Sequence, residues 1–522
     1  MNILKSDIEP GNTIANIALM LEKNVKRFPD RIVCSEMRNG KFEGITWKTF
    51  YRDIQNIIFN LRALGFGKQD KMIVYSANRM EMLELELAVM AMGAISVPIF
   101  SYFNKETATL LINHSDAKFM AVSGKLHLHR IDTSLKLQRI IVFDDNTEER
   151  FNNQISFRSL VKESGEEKNQ LDFEISPDDI CLNMYTFGTM GIPKCVQLTH
   201  GNVLSQQAAL EKLWGLTEND RFLSYLPWHH GFGGIFERFS ALYNGATIYL
   251  ESSHGRDPKT ILENWKLVKP TLFFSIPKVY ELLMDLVKGD AELEKSFFHD
   301  ELKFVFTAAA SLPKNVSDEF EKRNIAVIEG WGLTETSPCC TLTDPKLKRE
   351  EGVVGMPIPG VSIRLAADNE IQVKGPNVMK GYCKNDEANK NSFTEDGWFC
   401  TGDIGEFTPS GLKLISRKES GLKTENGEKV VPHNWEYVVQ DHCHYISFAL
   451  VVGNGEEYPL ALLFPNKKML DHPHYELSPE EGCFCPRSVD ELRKCLKGCL
   501  HESHCGIGQK FSQINSFLIV EI

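Results

Sequence analysis

Helical and extended hydrophobic patterns alternate along the first 180 residues of this chain, and this alternation restricts the fold more than any other property of the sequence. Thr46 is a typical helix N-cap, and apolar residues recur after it at helical spacing until Gly65. A strand pattern at residues 72–75, a helical pattern at 80–92 and a strand pattern at 95–99 follow. Strands separated by helices indicate an α/β domain with a largely parallel sheet.

The pattern changes at about Gly352, where short β hairpins replace the alternation, and again after Arg417, where a smaller α+β pattern begins. The expected strands of these parts lie at residues 361–366, 370–374, 406–408, 412–416, 448–452 and 460–464. We therefore predict an α/β protein. A large N-terminal domain, residues 1–416, would contain several subdomains with mixed and parallel sheets and a β-rich part. Residues 417–522 would form a small α+β C-terminal cap domain.

Length and charge exclude several classes of protein. At about 150 residues per domain, a chain of 522 residues corresponds to three or four domains or to two large ones. With 42% hydrophobic and 25% charged residues, the chain is not a disordered, collagen-like or coiled-coil protein. Its net charge of −12, without a basic block, argues against nucleic acid as a partner.

The sequence also bears on location. The residues after Met1 contain no apolar signal-peptide core, so a cytoplasmic protein is expected. The uncharged stretch at residues 87–104 is interrupted by Gly93, Ser96 and Pro98, which predicts a helix and a strand rather than a membrane span.

Thirteen cysteines are expected to be reduced thiols in that compartment. Five of them fall between Cys483 and Cys505, near His501 and His504. A zinc site there is conceivable, but the spacings match no familiar zinc pair, so ordinary thiols are favoured.

A segment of glycines, hydroxyls and one lysine follows a predicted strand: residues 185–194 read YTFGTMGIPK. Glycines let backbone N–H groups approach phosphate oxygens, threonines donate further hydrogen bonds, and lysine adds positive charge. The spacing is not that of the common P-loop, because Pro193 directly precedes Lys194. The segment is either a phosphate-binding loop or a glycine-rich turn between two strands.

Three other segments contain residue types common in binding sites. His229 and His230 lie among aromatic residues and glycines, which suits either a pocket wall or a core histidine at a turn. Glu335 follows a glycine turn, where a carboxylate either holds Mg²⁺ against phosphates or caps a helix. Asp403 and the residues that follow Arg417 would either contact ribose hydroxyls or form turns.

Together and in this order, these segments resemble the adenylate-forming family of acyl-CoA synthetases, luciferases and peptide-synthetase adenylation domains. The family's Thr-His pair stands here as Thr199 and His200. The flanking sequence is most similar to that of the long-chain fatty acyl-CoA synthetases. The segments that begin at residues 45, 76, 355 and 375 read ITW, SANR, GMPIPG and GPNVMKGY. The resemblance extends over most of the chain.

The resemblance implies a two-step ligase that uses a fatty acid, ATP, CoA and Mg²⁺. The fatty acid carboxylate attacks the α-phosphate of ATP and gives acyl-AMP and pyrophosphate, and the CoA thiol then displaces AMP. The small C-terminal domain rotates between the two steps. A carrier protein remains an alternative acceptor, and lipid substrates make peripheral membrane contact an expectation.

The resemblance also implies roles for individual residues. His230 would orient the carboxylate and gate the acyl tunnel, Glu335 and Thr186 would hold Mg²⁺, and Glu419 would be the hinge residue. Lys194 joins His230 and Glu335 in the implied catalytic set. The implied nucleotide contacts are Thr186, Gly188, Thr189, Gly191 and Lys194 at the phosphates, Ala308, Ala309, Ala310, Glu329, Gly330 and Trp331 at the adenine, Asp403 and Arg417 at the ribose, and Thr334 and Lys423 elsewhere on the nucleotide.

The chain departs from the family pattern in the phosphate loop. Phe187 stands where the family has serine, Met190 where it has threonine, and Cys195 where it has glycine. Each lost hydroxyl donor would cost about 1.5–3 kcal/mol if it contacts charged phosphate. Ser416 and the acidic Glu419 are also unusual for their positions.

The sequence stops at Ile522, before the segment in which the family has its adenylation lysine, and Lys510 lacks the flanking residues of that segment. We therefore expect an incomplete cap domain, and the loss of such a cation typically costs about 10²–10³ in rate. Two hypotheses follow: a long-chain fatty acid–CoA ligase, or a catalytically impaired relative that binds an acyl chain, a nucleotide or a protein partner.

Overall fold

The computed structural model describes residues 2–145, 147–163, 171–187, 193–308, 312–347, 349–350, 352–418, 422–423, 425, 429–430, 436, 445–453, 456, 458–467, 470, 486–503 and 516–520. The chain forms two compact units. The first contains Met1–Ala366, Ile371–Thr401 and Glu406–Lys413, and the second contains Ala367–Glu370, Gly402–Gly405 and Leu414–Ile522. The domain limits of 1–416 and 417–522 stay a prediction.

The helices, in chain order, are α1 Ile17–Arg27, α2 Trp47–Ala63, α3 Met80–Ala91, α4 Lys105–Ser115, α5 Lys125–His129, α6 Phe157–Val161, α7 His200–Trp214, α8 Arg238–Asn244, α9 Pro258–Val268, α10 Pro277–Val287, α11 Ala291–Phe297, α12 Lys314–Glu321, α13 Asp386–Ser392 and α14 Val489–Ser503. A π-helical segment, Phe232–Glu237, leads directly into α8, and Thr334–Thr336 form a 3-10 turn.

The strands are β1 Ile3–Lys5, β2 Ile32–Arg38, β3 Lys41–Thr46, β4 Lys71–Tyr75, β5 Ile95–Ile99, β6 Phe119–Val122, β7 Arg139–Val142, β8 Gln154–Ser156, β9 Ile180–Phe187, β10 Pro193–Thr199, β11 Arg221–Ser224, β12 Thr247–Leu250, β13 Leu272–Ser275, β14 Phe304–Thr307, β15 Ala326–Trp331, β16 Thr341–Leu342, β17 Val353–Pro357, β18 Ser362–Leu365, β19 Glu370–Lys374, β20 Gly381–Tyr382, β21 Phe399–Thr408, β22 Gly411–Arg417, β23 Leu422–Lys423, β24 Lys429–Val430, β25 Ile446–Val452, β26 Leu460–Pro465 and β27 Ser516–Ile519.

An eight-stranded sheet of described strands has the order β20-β10-β9-β5-β4-β6-β7-β8. Strands β4 to β8 pair in parallel, and helices α3, α4 and α5 connect β4 to β7, as the alternating pattern predicts. Strands β10 and β20 extend this sheet in antiparallel pairing at one edge. This edge carries Lys194 and is the part of the fold that positions the candidate site.

A larger sheet of described strands has the order β1-β18-β19-β21-β22-β17-β16-β15-β14-β13-β11-β12-β2-β3. In this order, neighbouring strands from β15 to β2 pair in parallel, whereas β3 at the edge and the strands β16 to β18 pair in antiparallel fashion. The predicted combination of mixed and parallel sheets with a β-rich part is confirmed.

The described part of the second unit contains a small sheet in which β26 pairs antiparallel with β25 and parallel with β27. One face of this sheet packs on α14, where Ala449, Ala461 and Leu463 meet Leu492 and Leu496. The predicted α+β character of this region is therefore confirmed.

Local predictions agree with the structure where the signal is a cap or a regular pattern. Thr46 accepts a hydrogen bond from the Thr49 N–H at 3.3 Å and begins α2, and Gly65 has a φ of +85° after its end. Asp403, for which a ribose contact and a turn are the alternatives, lies inside β21 at a buried position of that strand. Among the described residues, no helix is long and apolar enough to cross a membrane.

Candidate functional site

Two antiparallel strands hold the ends of the predicted phosphate loop. Lys194 of β10 lies opposite Thr186 of β9, and the Thr186 hydroxyl donates to the Lys194 carbonyl at 3.4 Å. Both side chains are half-buried. The loop at residues 188–192, with the predicted contacts Gly188, Thr189 and Gly191, lies outside the described residues. The described strands therefore place Lys194 and Thr186 together at the base of this loop.

A tyrosine joins Lys194 to Glu335. The Lys194 ammonium lies 5.2 Å from the ring centroid of Tyr382, and the Tyr382 hydroxyl donates to the Glu335 carboxylate at 2.8 Å. Tyr382 is buried, pairs across the strands with Val196, and exchanges two hydrogen bonds with Asn389. A cation, a phenol and a carboxylate thus form a line that the backbone holds in place.

The carboxylate of Glu335 comes from a short, well-supported turn. The Met379 N–H donates to the Glu335 carbonyl at 2.8 Å. The buried Asn377 amide donates to the carbonyls of Thr336 and Cys339, both at 3.0 Å. These bonds fix the backbone on both sides of Glu335, while its side chain stays half-buried and accessible to a ligand.

His230 lies beside this turn. The Phe232 N–H donates to His230 Nδ1 at 3.3 Å, so the neutral ring carries its proton on Nε2. A side-chain carbon placed at Gly231 would lie 3.3 Å from Pro338 and 3.5 Å from the Thr334 hydroxyl, so the two segments are in contact. His230 is exposed, yet desolvation by the surrounding protein lowers its pKa. It is a neutral hydrogen-bond donor at pH 7.

The histidine segment requires its glycines. A side-chain carbon at Gly234 would lie 2.0 Å from the Trp228 carbonyl oxygen, so only glycine allows this close approach. His229 lies against Phe100 with ring centroids 4.7 Å apart, and burial together with neighbouring His230 lowers its pKa to about 4. His229 is therefore a neutral, half-buried residue packed on Phe100.

A buried ion pair anchors the π-helical segment. Arg238 and Glu86 are fully buried and their charged atoms are 2.5 Å apart. Ser96 also donates to Glu86 at 2.7 Å, and Arg238 Nε donates to the Gly234 carbonyl at 2.9 Å. Such a pair is costly to break, so it holds the histidine segment against α3.

The predicted adenine-contacting segment contains a second carboxylate with a different environment. Glu329 is buried, and Arg349 donates to both of its oxygens, at 2.6 and 3.0 Å. The Leu312 N–H donates to the same group at 2.8 Å. The Glu329 side chain is therefore occupied by an ion pair.

The other predicted adenine contacts are only partly described. Trp331 is buried, Gly330 packs against Phe306, and Ala308 ends the described part of its segment. Ala309 and Ala310 lie outside the described residues. Adenine binding here stays a prediction.

In the second unit, the predicted ribose contacts Asp403 and Arg417 pair with each other. Arg417 Nε lies 2.8 Å from an Asp403 oxygen, and Asp403 is buried whereas Arg417 is exposed. Lys423 lies in β23, with only its backbone described. The proposed hinge Glu419 lies outside the described residues, as does Lys510.

The same limit applies to the C-terminal cysteines. Of the five in the cluster, the structure describes the side chain of Cys495 alone, and that residue is buried. Whether the cluster holds zinc therefore stays open.

The described residues suit Mg²⁺ only if substrate phosphates supply part of its ligands. Within the described ranges, no group of three or more His, Cys, Asp or Glu residues could hold a metal ion. Mg²⁺ is usually held by one or two carboxylates together with substrate phosphates. Glu335, near the base of the predicted phosphate loop, fits that arrangement, with Thr186 as a further oxygen donor.

Two residues of this region escaped sequence reasoning. Tyr382 belongs to a recognised flanking segment, but its local pattern does not indicate its contact with Glu335. Arg349 has no motif around it, and its partner Glu329 is 20 residues away. For Tyr382, the available signal would have been its position after a glycine, in a strand that pairs with the strand of Lys194.

Comparison with known sequences identifies relatives along the chain. The sequence model of the family described as "AMP-binding enzyme" matches residues 21–383, and that of the "AMP-binding enzyme C-terminal domain" matches residues 420–480. Long chain acyl-CoA synthetase 3 of Arabidopsis thaliana is 27% identical over 542 residues, covering 89% of this chain and 80% of the relative. Long-chain-fatty-acid–CoA ligase 6 of Rattus norvegicus is 27% identical over 437 residues, covering 71% and 62%.

Solved structures share the fold. O-succinylbenzoate coenzyme A synthetase of Bacillus subtilis, in complex with ATP and magnesium, superposes with a TM-score of 0.75 at 21% identity, covering 96% of this chain and 95% of that one. ATP-bound MatB of Rhodopseudomonas palustris gives a TM-score of 0.77 at 20% identity, with coverages of 97% and 95%. The predicted fold class is confirmed by both.

Proposed function

The chain belongs to the AMP-binding enzyme family, and from this premise we propose that it is a long-chain fatty acid–CoA ligase. It would form acyl-AMP and pyrophosphate from a fatty acid and ATP, and then the acyl thioester of CoA. The observation that carries the proposal is the line from Lys194 through Tyr382 to Glu335. Positioning and charge neutralisation supply most of the rate in phosphoryl chemistry, and this line provides both.

Lys194 and Glu335 would act at opposite ends of the phosphate chain. Lys194 would supply a positive charge at the base of the loop, and strand pairing with Thr186 fixes its backbone. Tyr382 donates to Glu335 and so orients the carboxylate. Bound Mg²⁺ would neutralise phosphate charge, and Glu335 with Thr186 are the residues that would hold it.

His230 would orient the fatty acid. Its Nδ1 is already used by the Phe232 N–H, so Nε2–H is directed elsewhere and can donate to a carboxylate oxygen. A lowered pKa keeps the ring neutral, which avoids trapping the carboxylate nucleophile in a tight ion pair. The close approach of Gly231, the residue after His230, to Pro338 and Thr334 supports a shared pocket.

The remaining contacts are proposed by position. Asp403 and Arg417 would bind the ribose, with Asp403 held ready by its ion pair. Gly188, Thr189 and Gly191 would contact phosphates, and Ala309, Gly330, Trp331 and Thr334 would contact the nucleotide base or its surroundings. Lys423 would also contact the nucleotide, and Glu419 would be the hinge residue of the domain rotation. A long acyl chain is proposed because relatives named as long-chain synthetases and ligases match the chain.

The burial of Cys195 removes one argument for impaired catalysis. Its side chain is 2% exposed, and strand alternation directs it to the face opposite Lys194. Its replacement of the family's glycine therefore costs the phosphate site no space. Phe187 and Met190 keep the alternative open, since both replace hydroxyl donors: a relative that binds nucleotide, acyl chain or a protein partner without turnover.

Pyrophosphate release with oleate, ATP and Mg²⁺ separates these functions. The ligase releases pyrophosphate only when oleate is present, and forms oleoyl-CoA when CoA is added. Thermal protection by ATP without oleate-dependent release would overturn the ligase and support the binding protein. Lys194→Ala tests the site, with Lys314→Ala as the matched control, since the Lys314 side chain is 88% exposed. Only the first should lose release, by about 10²–10³-fold.

A further inference from the structure

Two cysteines face each other at the edge of the eight-stranded sheet. Val196 pairs with Tyr382 across strands β10 and β20, so the next residues, Cys195 and Cys383, are directly opposite. The Cys383 N–H donates to the Cys195 carbonyl at 2.8 Å, which confirms this register. Side chains at opposite positions have Cβ atoms about 4.5–5.5 Å apart. Cα atoms of such pairs fall within the range that disulfides span.

The two thiols are also close enough for each to shift the pKa of the other, and Tyr185, which pairs with Cys195 from the neighbouring strand, shifts the pKa of Cys195 as well. Cys195 is 2% exposed and Cys383 is 7% exposed, so Cys383 is the thiol nearer to solvent. Both are present as free thiols.

Their surroundings make the two thiols unequal. The hydrogen bond from Cys195, with positive charge from Lys71 and Lys384, lowers the pKa of Cys383 to about 6. The same hydrogen bond, with burial, raises the pKa of Cys195. Two further titratable groups lie nearby among the described residues: His114, which bonds to the Tyr185 hydroxyl at 2.9 Å, and Asp116, the ion-pair partner of Lys384. A thiolate beside a protonated thiol is the usual arrangement of a reactive and a resolving cysteine.

We propose that Cys195 and Cys383 are a redox-modification site, at which a peroxide converts the thiol pair into a cross-strand disulfide. The Cys383 sulfur attacks one peroxide oxygen, the O–O bond breaks, and the sulfenic acid of Cys383 forms as hydroxide leaves. The Cys195 sulfur then attacks the Cys383 sulfur, the S–O bond breaks, and the departing hydroxyl takes the thiol proton as water. The two thiols lose two electrons, and hydrogen peroxide is reduced to two waters.

The disulfide would act on the site through the backbone. Cys195 directly follows Lys194, and Cys383 directly follows Tyr382, so the cross-link joins the strands that position the cation and the phenol. Bond formation requires the two sulfurs to move closer and the side chains to take a defined torsion. A displacement of about 1 Å in a catalytic group costs about 10²-fold in rate. This inhibitory effect rests on the proposed ligase function, whereas the modification itself does not.

Peptide mapping tests the modification on the full chain. The reduced protein is treated with hydrogen peroxide, remaining thiols are alkylated, and the digest is analysed by mass spectrometry without reduction. We expect a linked peptide pair that contains Cys195 and Cys383 and disappears after dithiothreitol. Recovery of both residues as alkylated thiols, while other cysteines oxidise, would overturn the proposal.

Variants test the order of events. In Cys195→Ala, dimedone should trap a sulfenic acid on Cys383, while Cys400→Ser, the matched control, should form the wild-type cross-link. Absence of the dimedone adduct in a folded Cys195→Ala protein would contradict the assignment of Cys383 as the reactive thiol. If that variant does not fold, the relative alkylation rates of Cys383 and Cys195 in the native wild-type chain decide the same point.

Activity tests the consequence separately. Oxidation should lower oleate-dependent pyrophosphate release by about 10²-fold, and dithiothreitol should restore it. A cross-linked protein with full activity would overturn the inhibitory effect. A reduced protein without any release would overturn the ligase function instead, and the mapped disulfide would still establish the modification site.

Discussion

The two carboxylates on either side of Trp331 have opposite environments. Glu329 is buried, and Arg349 and a backbone N–H occupy its oxygens. Glu335 is half-buried, and its side-chain partner among the described residues is the Tyr382 hydroxyl. A buried carboxylate whose oxygens are occupied by an ion pair has no capacity left for a metal ion, while one held by a single neutral donor keeps that capacity. Position in a motif therefore does not settle a residue's role, but its set of partners does.

The largest expected effect is the loss of folding stability when Glu329 loses its ion-pair partner. Arg349→Met leaves a buried carboxylate without its counter-charge, so the free energy of unfolding should fall by about 3–5 kcal/mol. Urea denaturation measures this loss. The double variant Glu329→Met with Arg349→Met should recover part of it, since no charge is then left unpaired. An unchanged unfolding midpoint in Arg349→Met would show that the ion pair of Glu329 has no structural role, and would contradict the distinction between Glu329 and Glu335.

A pH effect extends the comparison to the histidines. His200 is buried, its Nδ1 accepts from the Ile17 N–H at 3.2 Å, and burial lowers its pKa to about 4. The unfolded chain protonates His200 more readily than the folded chain does. The contribution of neutral His200 to the free energy of unfolding is therefore complete above pH 6.5 and is lost as the pH falls towards 4. The shift corresponds to about 3 kcal/mol.

Denaturation midpoints between pH 7.5 and 4.5 test this in the wild type and in His200→Leu. The variant should be less stable at pH 7.5 but lose less stability on acidification. Parallel curves for the two proteins would show that His200 does not titrate in this range.

A smaller effect is expected at the partner of Glu335. Tyr382→Phe keeps the ring under Lys194 but removes the hydrogen bond to the carboxylate, which is worth about 1.5 kcal/mol or roughly tenfold in rate. If Tyr382 positions Glu335, the Mg²⁺ concentration needed for half-maximal pyrophosphate release should rise while thermal stability changes little. A loss of stability with an unchanged Mg²⁺ requirement would make Tyr382 a packing residue.

Local patterns predict this molecule well wherever structure depends on neighbours in sequence. Residues 95–99 form β5 as expected, and the N-cap at Thr46 is present, since period and caps are local properties. The pairing of β1 with β18 and of β2 with β12 has no local signature, so the extent of the larger sheet could not be predicted.

The candidate site divides in the same way. Motif order led to the predictions for Lys194, His230 and Glu335. In the structure, Tyr382 lies between Lys194 and Glu335, and the segment of His230 contacts the turn that carries Glu335. The partners that distinguish Glu329 from Glu335 come from distant parts of the chain, as does Cys383 opposite Cys195. Such contacts depend on tertiary packing, which periodicity does not encode.

The most direct test of the account is oleate-dependent pyrophosphate release by Glu335→Gln, compared with wild type at matched protein stability. The account predicts a loss of about 10²–10³-fold, because the carboxylate that would hold Mg²⁺ is replaced by a neutral amide. Unfolding stability should stay within about 0.5 kcal/mol of wild type. Wild-type release rates in a folded Glu335→Gln protein would contradict the assignment of this site.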